Sequence, residues 1–169
     1  GGGFLLYREA KGPVYALDYR EMAPSGASRD MYLDPDGDPT DLSVTGALAA
    51  AVPGSPAGLL EMHQRFGRLP FAQVIDPAAL DVAHVVFGAL IGEAITSGAQ
   101  FLPNDQPPVV GSTLVQRDLG KTLERIRDKG AAGFYTGTTA DLIVAEMERS
   151  GGLITHADLA NYKTYWRDP

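Results

Sequence analysis

The chain has 169 residues, 44% of them hydrophobic and 21% charged, with 20 glycines, 12 prolines and no cysteine. That composition fits one soluble globular domain or a large piece of one and excludes a disulfide scaffold and a disordered tail. A formal charge of −7 repels a phosphate backbone and an anionic bilayer, so nucleic acid is excluded as a partner of the average surface.

The sequence opens on Gly1-Gly2-Gly3 and Phe4-Leu5-Leu6-Tyr7, with no initiator Met, basic region or cleavage pattern, and reads as the inside of a longer chain. The glycines precede a strand rather than joining strand to helix, so they predict a tight backbone passage and not a phosphate loop. Phe4 to Arg8 and Val14 to Arg20 are apolar, aromatic and β-branched runs, and Glu9-Ala10-Lys11-Gly12-Pro13 supplies the turn of an antiparallel hairpin. Alternation along the second strand puts Tyr15, Leu17 and Tyr19 on one face and Val14, Ala16, Asp18 and Arg20 on the other. Asp18 and Arg20 are expected to emerge together.

Met22 to Thr45 is rich in Pro, Gly, Asp and Ser without a sustained period, which predicts an ordered excursion of few regular elements. Ala47 to Val52, small and apolar, predicts a strand packed closely on both faces. Pro53-Gly54-Ser55-Pro56 then turns into a helix on which Leu59, Met62 and Phe66 fall at helical spacing, with Gly67 as a left-handed C-terminal cap. A second helix is expected from near Phe71, reset at Pro77 and running toward Ser97 and Gly98. The longest apolar stretch, Val82 to Ile95, is broken by His84, Gly88, Gly92 and Glu93 and is too short for a membrane span of about 20 residues.

Downstream, Asp118 predicts the cap of a helix with Leu119, Leu123 and Ile126 inward and Gly130 at its end. Thr138 or Thr139 opens the next, with Ile143 and Met147 inside and Gly151-Gly152 at its close. Thr155-His156-Ala157-Asp158 resembles a capping box leading into Leu159 and Tyr162. Pro and Gly break the pattern between Leu102 and Gly111, but the helical stripes on either side need a shared surface, which predicts a single domain over residues 1–169.

Few motifs carry chemistry. His63, His84 and His156 lie far apart and match no i,i+4 pair, so no metal site is assigned. Gly54-Ser55-Pro56-Ala57-Gly58 lacks the spacing of a serine-hydrolase elbow. Asp34, Asp36, Asp38 and Asp41 lack the closing Glu and flanking helices of an EF-hand and read as solvated turn acids. Arg20 stands out at a strand end just before Pro24, where a guanidinium can make two parallel hydrogen bonds to a carboxylate. Composition alone leaves it an exposed arginine paired with Asp18 or Glu21.

The run from Gly1 to Leu6, YALDYREMAP from Tyr15 to Pro24 and SRDMYLD from Ser28 to Asp34 resemble the gamma-glutamyltranspeptidase family. The likeness continues in order through AVPGSPAGLLEMHQRFGRLPF from Ala51, FLPN from Phe101, LVQRDLGKTLERI from Leu114, GFYTGTTADLI from Gly133 and GGLITHADLANYK from Gly151.

The resemblance implies an α/β (α+β) fold, part of the N-terminal-nucleophile hydrolase αββα sandwich and incomplete in this chain. It implies a precursor that cuts itself into a large and a small subunit, with this chain belonging to the large one. The nucleophile of such enzymes is the Thr at the small subunit's new N-terminus, whose own α-amine serves as general base, and the oxyanion donors belong to that subunit too. No catalytic residue and no cofactor is therefore assigned within residues 1–169. Arg20 matches the family's Arg in its YRE-x-AP segment, so the resemblance makes it the residue that binds the α-carboxylate of a γ-glutamyl substrate. Gly137-Thr138-Thr139 is followed by Ala140 where the family's processing site has His, and matches an internal helix instead.

The implied partners are a glutathione-like γ-glutamyl compound and the small catalytic subunit; in bacteria the family implies export. The interval from Ala78 to Phe101 is shorter than the family usually has. Alone, the chain is expected to be inactive and, through apolar faces left uncovered, to self-associate. Other readings stay open: acylase or poly-γ-glutamate chemistry on the same scaffold, and a non-catalytic module that holds a small carboxylate through Arg20.

Overall fold

The structure, a computed structural model, describes residues 1–80, 106 and 115–169. The chain divides into two compact units, Gly1–Arg68 with Asp128–Pro169, and Leu69–Arg127.

In the first unit the expected hairpin forms: β1 (Phe4–Arg8) pairs antiparallel with β2 (Val14–Asp18), Leu6 opposite Ala16. The second strand ends at Asp18 rather than Arg20, because the Asp18 side chain turns back to accept the Arg20 N–H. A third strand, β3 (Tyr165–Arg167), extends the sheet in the order β1-β2-β3, with Leu17 opposite Trp166. Three residues are too few to show a period, and side chains fix this strand. The Trp166 indole N–H donates to Glu61 at 3.0 Å, and its ring meets Tyr15 and Phe66 edge-on. Arg65 lies over the same group, its guanidinium 4.2 Å from the Trp166 ring, a stacking that an arginine plane suits.

The excursion after Met22 is irregular, as expected, with one bridge between Leu33 and Pro39 and a 3-10 turn at Asp41–Ser43. The strand expected over Ala47 to Val52 is corrected. Ala47–Ala49 is a 3-10 turn, and Val52 alone makes a bridge, exchanging N–H to C=O bonds with Met22 at 2.8 and 3.2 Å. A run of alanines lacks the β-branched bulk that holds a pleated strand.

Helix α1 (Ser55–Phe66) starts where Pro56 predicts; of its expected stripe Met62 is half-buried and Phe66 packs against the rings of Tyr7 and Tyr15, but Leu59 does not face inward. Leu60 and Gly58 are buried and Leu59 is 58% exposed, because Gly58 lies flat on the Tyr19 ring where an added Cβ would collide. Gly67 is not left-handed: its φ is −65° and ψ 141°. A glycine is needed there because a Cβ would run into the His63 carbonyl and ring.

Among the described residues of the second unit, α2 (Phe71–Leu80) carries Pro77 inside it, and α3 (Arg117–Lys129) follows. The stretch expected to continue α2 to Ser97 and Gly98, the shortened interval beyond Leu80 and all of the Leu102 to Gly111 break except Gln106 lie outside the described residues. Asp118 is within the first turn of α3 and bonds Lys121 at 3.1 Å rather than capping, a position the helix dipole still favours. Of its expected stripe Ile126 is buried while Leu119 is exposed, and Arg127 pairs with Asp76 at 3.1 Å.

After α3, a short α4 (Ala132–Tyr135) leads into α5 (Gly137–Ser150) and α6 (His156–Ala160). Helix α5 ends at Gly151, whose φ of 77° is the left-handed stop that glycine adopts without penalty. The capping box of α6 is present with both reciprocal bonds. Val52, Tyr135, Ala140, Val144, Ile154 and Leu159, all in the first unit, form its core, with Ile143, Met147 and Tyr162 packed on its margin. No described helix is long and apolar enough to cross a membrane.

Candidate functional site

Glycines decide where Arg20 stands. Gly3 exchanges backbone hydrogen bonds with Tyr19, at 2.9 and 3.3 Å, beyond the formal end of the hairpin. An added Cβ on Gly2 would strike the main chain of Tyr19, Arg20 and Glu21, so the opening glycines form the tight passage their sequence predicts. On the other side Gly54, just before α1, donates its N–H to the Gly1 carbonyl at 2.8 Å and leaves no room for a Cβ against the Tyr19 carbonyl and the Tyr162 hydroxyl. Residues 19 to 21 run between these two glycine-lined walls.

Both peptide groups of Arg20 are held by side chains. Its N–H donates to Asp18 Oδ1 at 3.0 Å, and its carbonyl accepts from the Tyr162 hydroxyl at 2.8 Å. The other oxygen of Asp18 receives Arg167 Nε at 2.7 Å. The Arg20 N–H, against the opposing effect of burial and with Arg167 beside it, keeps the Asp18 carboxyl below its ordinary range. Asp18 and Arg20 do not emerge as two side chains of one face: Asp18 is buried against Arg167, the Arg20 side chain is exposed beside Glu21, and the two meet through the Arg20 backbone N–H.

The Arg20 side chain is 57% exposed. It contacts Glu21 Oε1 at a single long distance of 3.4 Å and lies 5.8 Å from the centre of the Phe4 ring. Glu21 is held below its usual value first by its own backbone N–H, against burial, and then by the Arg20 charge, so its carboxylate is ionised at neutral pH. One exposed contact of this length contributes little. The arrangement is a fixed main chain carrying a cation whose planar fork is available to an incoming carboxylate.

The segment that follows Arg20 is tied down by Asp158. Its Oδ1 accepts the Ser25 N–H at 2.8 Å and its Oδ2 the Thr155 N–H at 2.9 Å and hydroxyl at 2.7 Å. Burial alone would raise this carboxyl, but the bonds from Thr155 and Ser25 outweigh it and bring it down to about 2 from the ordinary 3.8. A depressed carboxyl stabilises the fold above its unfolded value and loses that contribution as pH falls toward its folded one. Asp158→Asn is therefore expected to make stability fall less steeply between pH 4 and pH 2 than in the parent. Urea midpoints across that range check this, and equal slopes would contradict it.

The remaining candidates behave as ordinary groups. The Thr139 hydroxyl is buried and donates to the Gly133 carbonyl at 2.7 Å inside the α4–α5 turn, which fits an internal helix and not a nucleophile. His156 Nε2 is 2.9 Å from Asp141, His63 has partners of its own, and His84 lies outside the described residues. Asp34 accepts the backbone N–H groups of Asp36 and Asp38 at 3.0 and 2.9 Å, the work of a turn acid. Sequence reasoning singled out Arg20 but not Tyr162 or Arg167. Their roles depend on contacts across 142 and 149 residues, for which no local spacing gives a signal.

The family model described as gamma-glutamyltranspeptidase matches residues 1–169. The glutathione hydrolase proenzyme of Pseudomonas aeruginosa is 46% identical over 183 aligned positions, covering 100% of this chain and 32% of the relative. That of Escherichia coli is 42% identical, with 100% and 32% covered. Among solved structures, Helicobacter pylori gamma-glutamyltranspeptidase superposes with a TM-score of 0.93 at 38% identity, over 100% of this chain and 52% of that one. Gamma-glutamyltranspeptidase from Pseudomonas nitroreducens, complexed with L-DON, gives 0.87 at 41%, over 100% and 53%. The chain thus spans about a third of the length of these curated relatives and about half of the solved chains.

Proposed function

The chain belongs to the gamma-glutamyltranspeptidase family, and from that membership we propose that it is a large-subunit portion of an enzyme that moves the γ-glutamyl group of glutathione-like amides to water, an amino acid or a peptide. The family is one of N-terminal-nucleophile hydrolases, and the mixed helix and sheet of the described residues is part of that α/β architecture.

One observation carries the reading: Arg20 combines a backbone pinned on both sides with a half-exposed side chain whose ion pair, among the described residues, is a single long contact with Glu21. A substrate α-carboxylate offers two oxygens to the fork where Glu21 offers one, so it displaces the internal acid. Arg20 then fixes the glutamyl end of the substrate, and the γ-carbonyl at the other end lies against the small subunit's threonine. That hydroxyl attacks the carbonyl, its proton passing to the α-amine of the same residue, and the amide nitrogen leaves with a proton as the acyl-enzyme forms. Water or an acceptor amine then takes the acyl group. In this account Arg20 acts on binding and orientation, and the bond-making groups come from the second polypeptide.

Phe4 and Leu6 stand exposed on β1, an uncovered edge of the sheet among the described residues. We assign that face to the small subunit or, without it, to a second copy of the chain. The test of the function is direct. The complete precursor carrying this sequence, once processed, is expected to release product from a γ-glutamyl chromogenic substrate, and residues 1–169 alone to release none. No turnover by the processed protein, or turnover by the isolated chain above a mock preparation, would contradict the proposal.

A further inference from the structure

We propose that Tyr162, with the Asp18–Arg167 pair, forms a clamp that positions Arg20 for the substrate carboxylate. The inference rests on the reading of Arg20 given above and extends it to residues that touch no substrate.

An arginine on a free loop must lose backbone freedom before its fork can align with a carboxylate, and that ordering weakens binding. Here the loss has occurred in advance. Asp18 holds the N–H of Arg20 and is itself held by Arg167 of β3, while Tyr162 holds the carbonyl, so the two peptide groups that set the direction of the side chain are both fixed. Tyr162 is in turn well supported. Its ring stacks on Tyr135 with planes 3° apart and centres 5.5 Å apart. The Tyr135 hydroxyl donates to the Pro53 carbonyl at 2.7 Å and accepts the Ala57 N–H at 3.3 Å, which ties the pair to the start of α1. Gly54 gives the Tyr162 hydroxyl the space to reach Arg20.

Each support comes from a different element, and all converge on one residue. A purely structural tyrosine at the core margin needs only its ring. The hydroxyl of Tyr162 instead ends on the carbonyl of Arg20, whose side chain the proposed function offers to the substrate. Removing that oxygen leaves the stacking and the core in place and frees the Arg20 carbonyl to follow the solvent.

The experiment uses the complete processed protein and a γ-glutamyl chromogenic substrate. Tyr162→Phe is expected to raise KM about five- to tenfold, the worth of one hydrogen bond, with kcat within about twofold, because the glutamyl carboxylate lies far from the bond being broken. Arg167→Ala, at an exposed strand end, is expected to raise KM about threefold and serves as the second variant should Tyr162→Phe fail to fold. In an Arg20→Ala background neither substitution changes KM further, the signature of residues acting through Arg20. A general structural defect would lower kcat and would persist without Arg20. Raised KM in Arg20→Ala beside unchanged KM in Tyr162→Phe and Arg167→Ala overturns the clamp alone. Unchanged KM in Arg20→Ala overturns the carboxylate reading and the clamp with it.

Discussion

Leu159→Ala is expected to destabilise the first compact unit by about 2–5 kcal/mol, the cost of deleting a fully buried leucine and leaving part of its volume empty. Leu159 is 0% exposed, and its neighbours in the core are Val52, Tyr135, Ala140, Val144 and Ile154. These come from a bridge, a short helix, a long helix and an extended segment, so no single element can shift to fill the space. Trp166 is the single tryptophan of the chain and is packed between Arg65 and Phe66, which makes its fluorescence a reporter of this unit. Urea unfolding followed at Trp166 should show the midpoint falling with an unchanged slope. A midpoint within 0.2 M of the parent, roughly the scale of a few tenths of a kcal/mol, would place Leu159 outside the cooperative core.

The same core explains why the site was only partly legible. The hairpin could be read because Glu9 to Pro13 supplies turn chemistry between two runs of period two, and both signals are local. The capping box of α6 and the glycine stop of α5 are local too, and stand where their residues predict. Arg20 itself followed from the family likeness, since its surroundings in sequence fit an ordinary surface pair equally well. Once folded, it is in that pair with Glu21, and what distinguishes it is its main chain.

The misreadings share one cause, which is that tertiary contact outweighs local pattern. Ala47 to Val52 has the polarity of a buried strand, but Val52 finds Met22 and the alanines before it turn. Leu59 has the spacing of a core residue, yet it is exposed while Leu60 and Gly58, the latter against the Tyr19 ring, are buried. Gly67 and Gly54 are glycines for lack of space rather than for a left-handed backbone, a need that depends on what stands opposite. β3 owes its place to Asp18, Glu61 and the rings of Tyr15 and Phe66, none of which is near it in sequence.

Arg20→Ala carries the largest expected effect on activity. Two charge-assisted hydrogen bonds from one guanidinium, each worth about 1.5–3 kcal/mol, correspond to a loss in kcat/KM of about a hundredfold or more. Arg20→Lys restores the charge but not the fork, and is expected to recover only part of the loss. Stability should hardly change, because the side chain is 57% exposed and its contact with Glu21 is a single long one.

The loss must also depend on what the substrate carries. With a γ-glutamyl substrate whose α-carboxylate is converted to the carboxamide, the charge proposed to meet Arg20 is gone, while the scissile bond and the side chain linking the two ends are unchanged. The decisive measurement is therefore the ratio of kcat/KM for the carboxylate to that for the carboxamide, in the complete processed protein with and without Arg20→Ala. The account predicts a strong preference for the carboxylate in the parent that falls to near unity in the variant. The same preference in both proteins would contradict it.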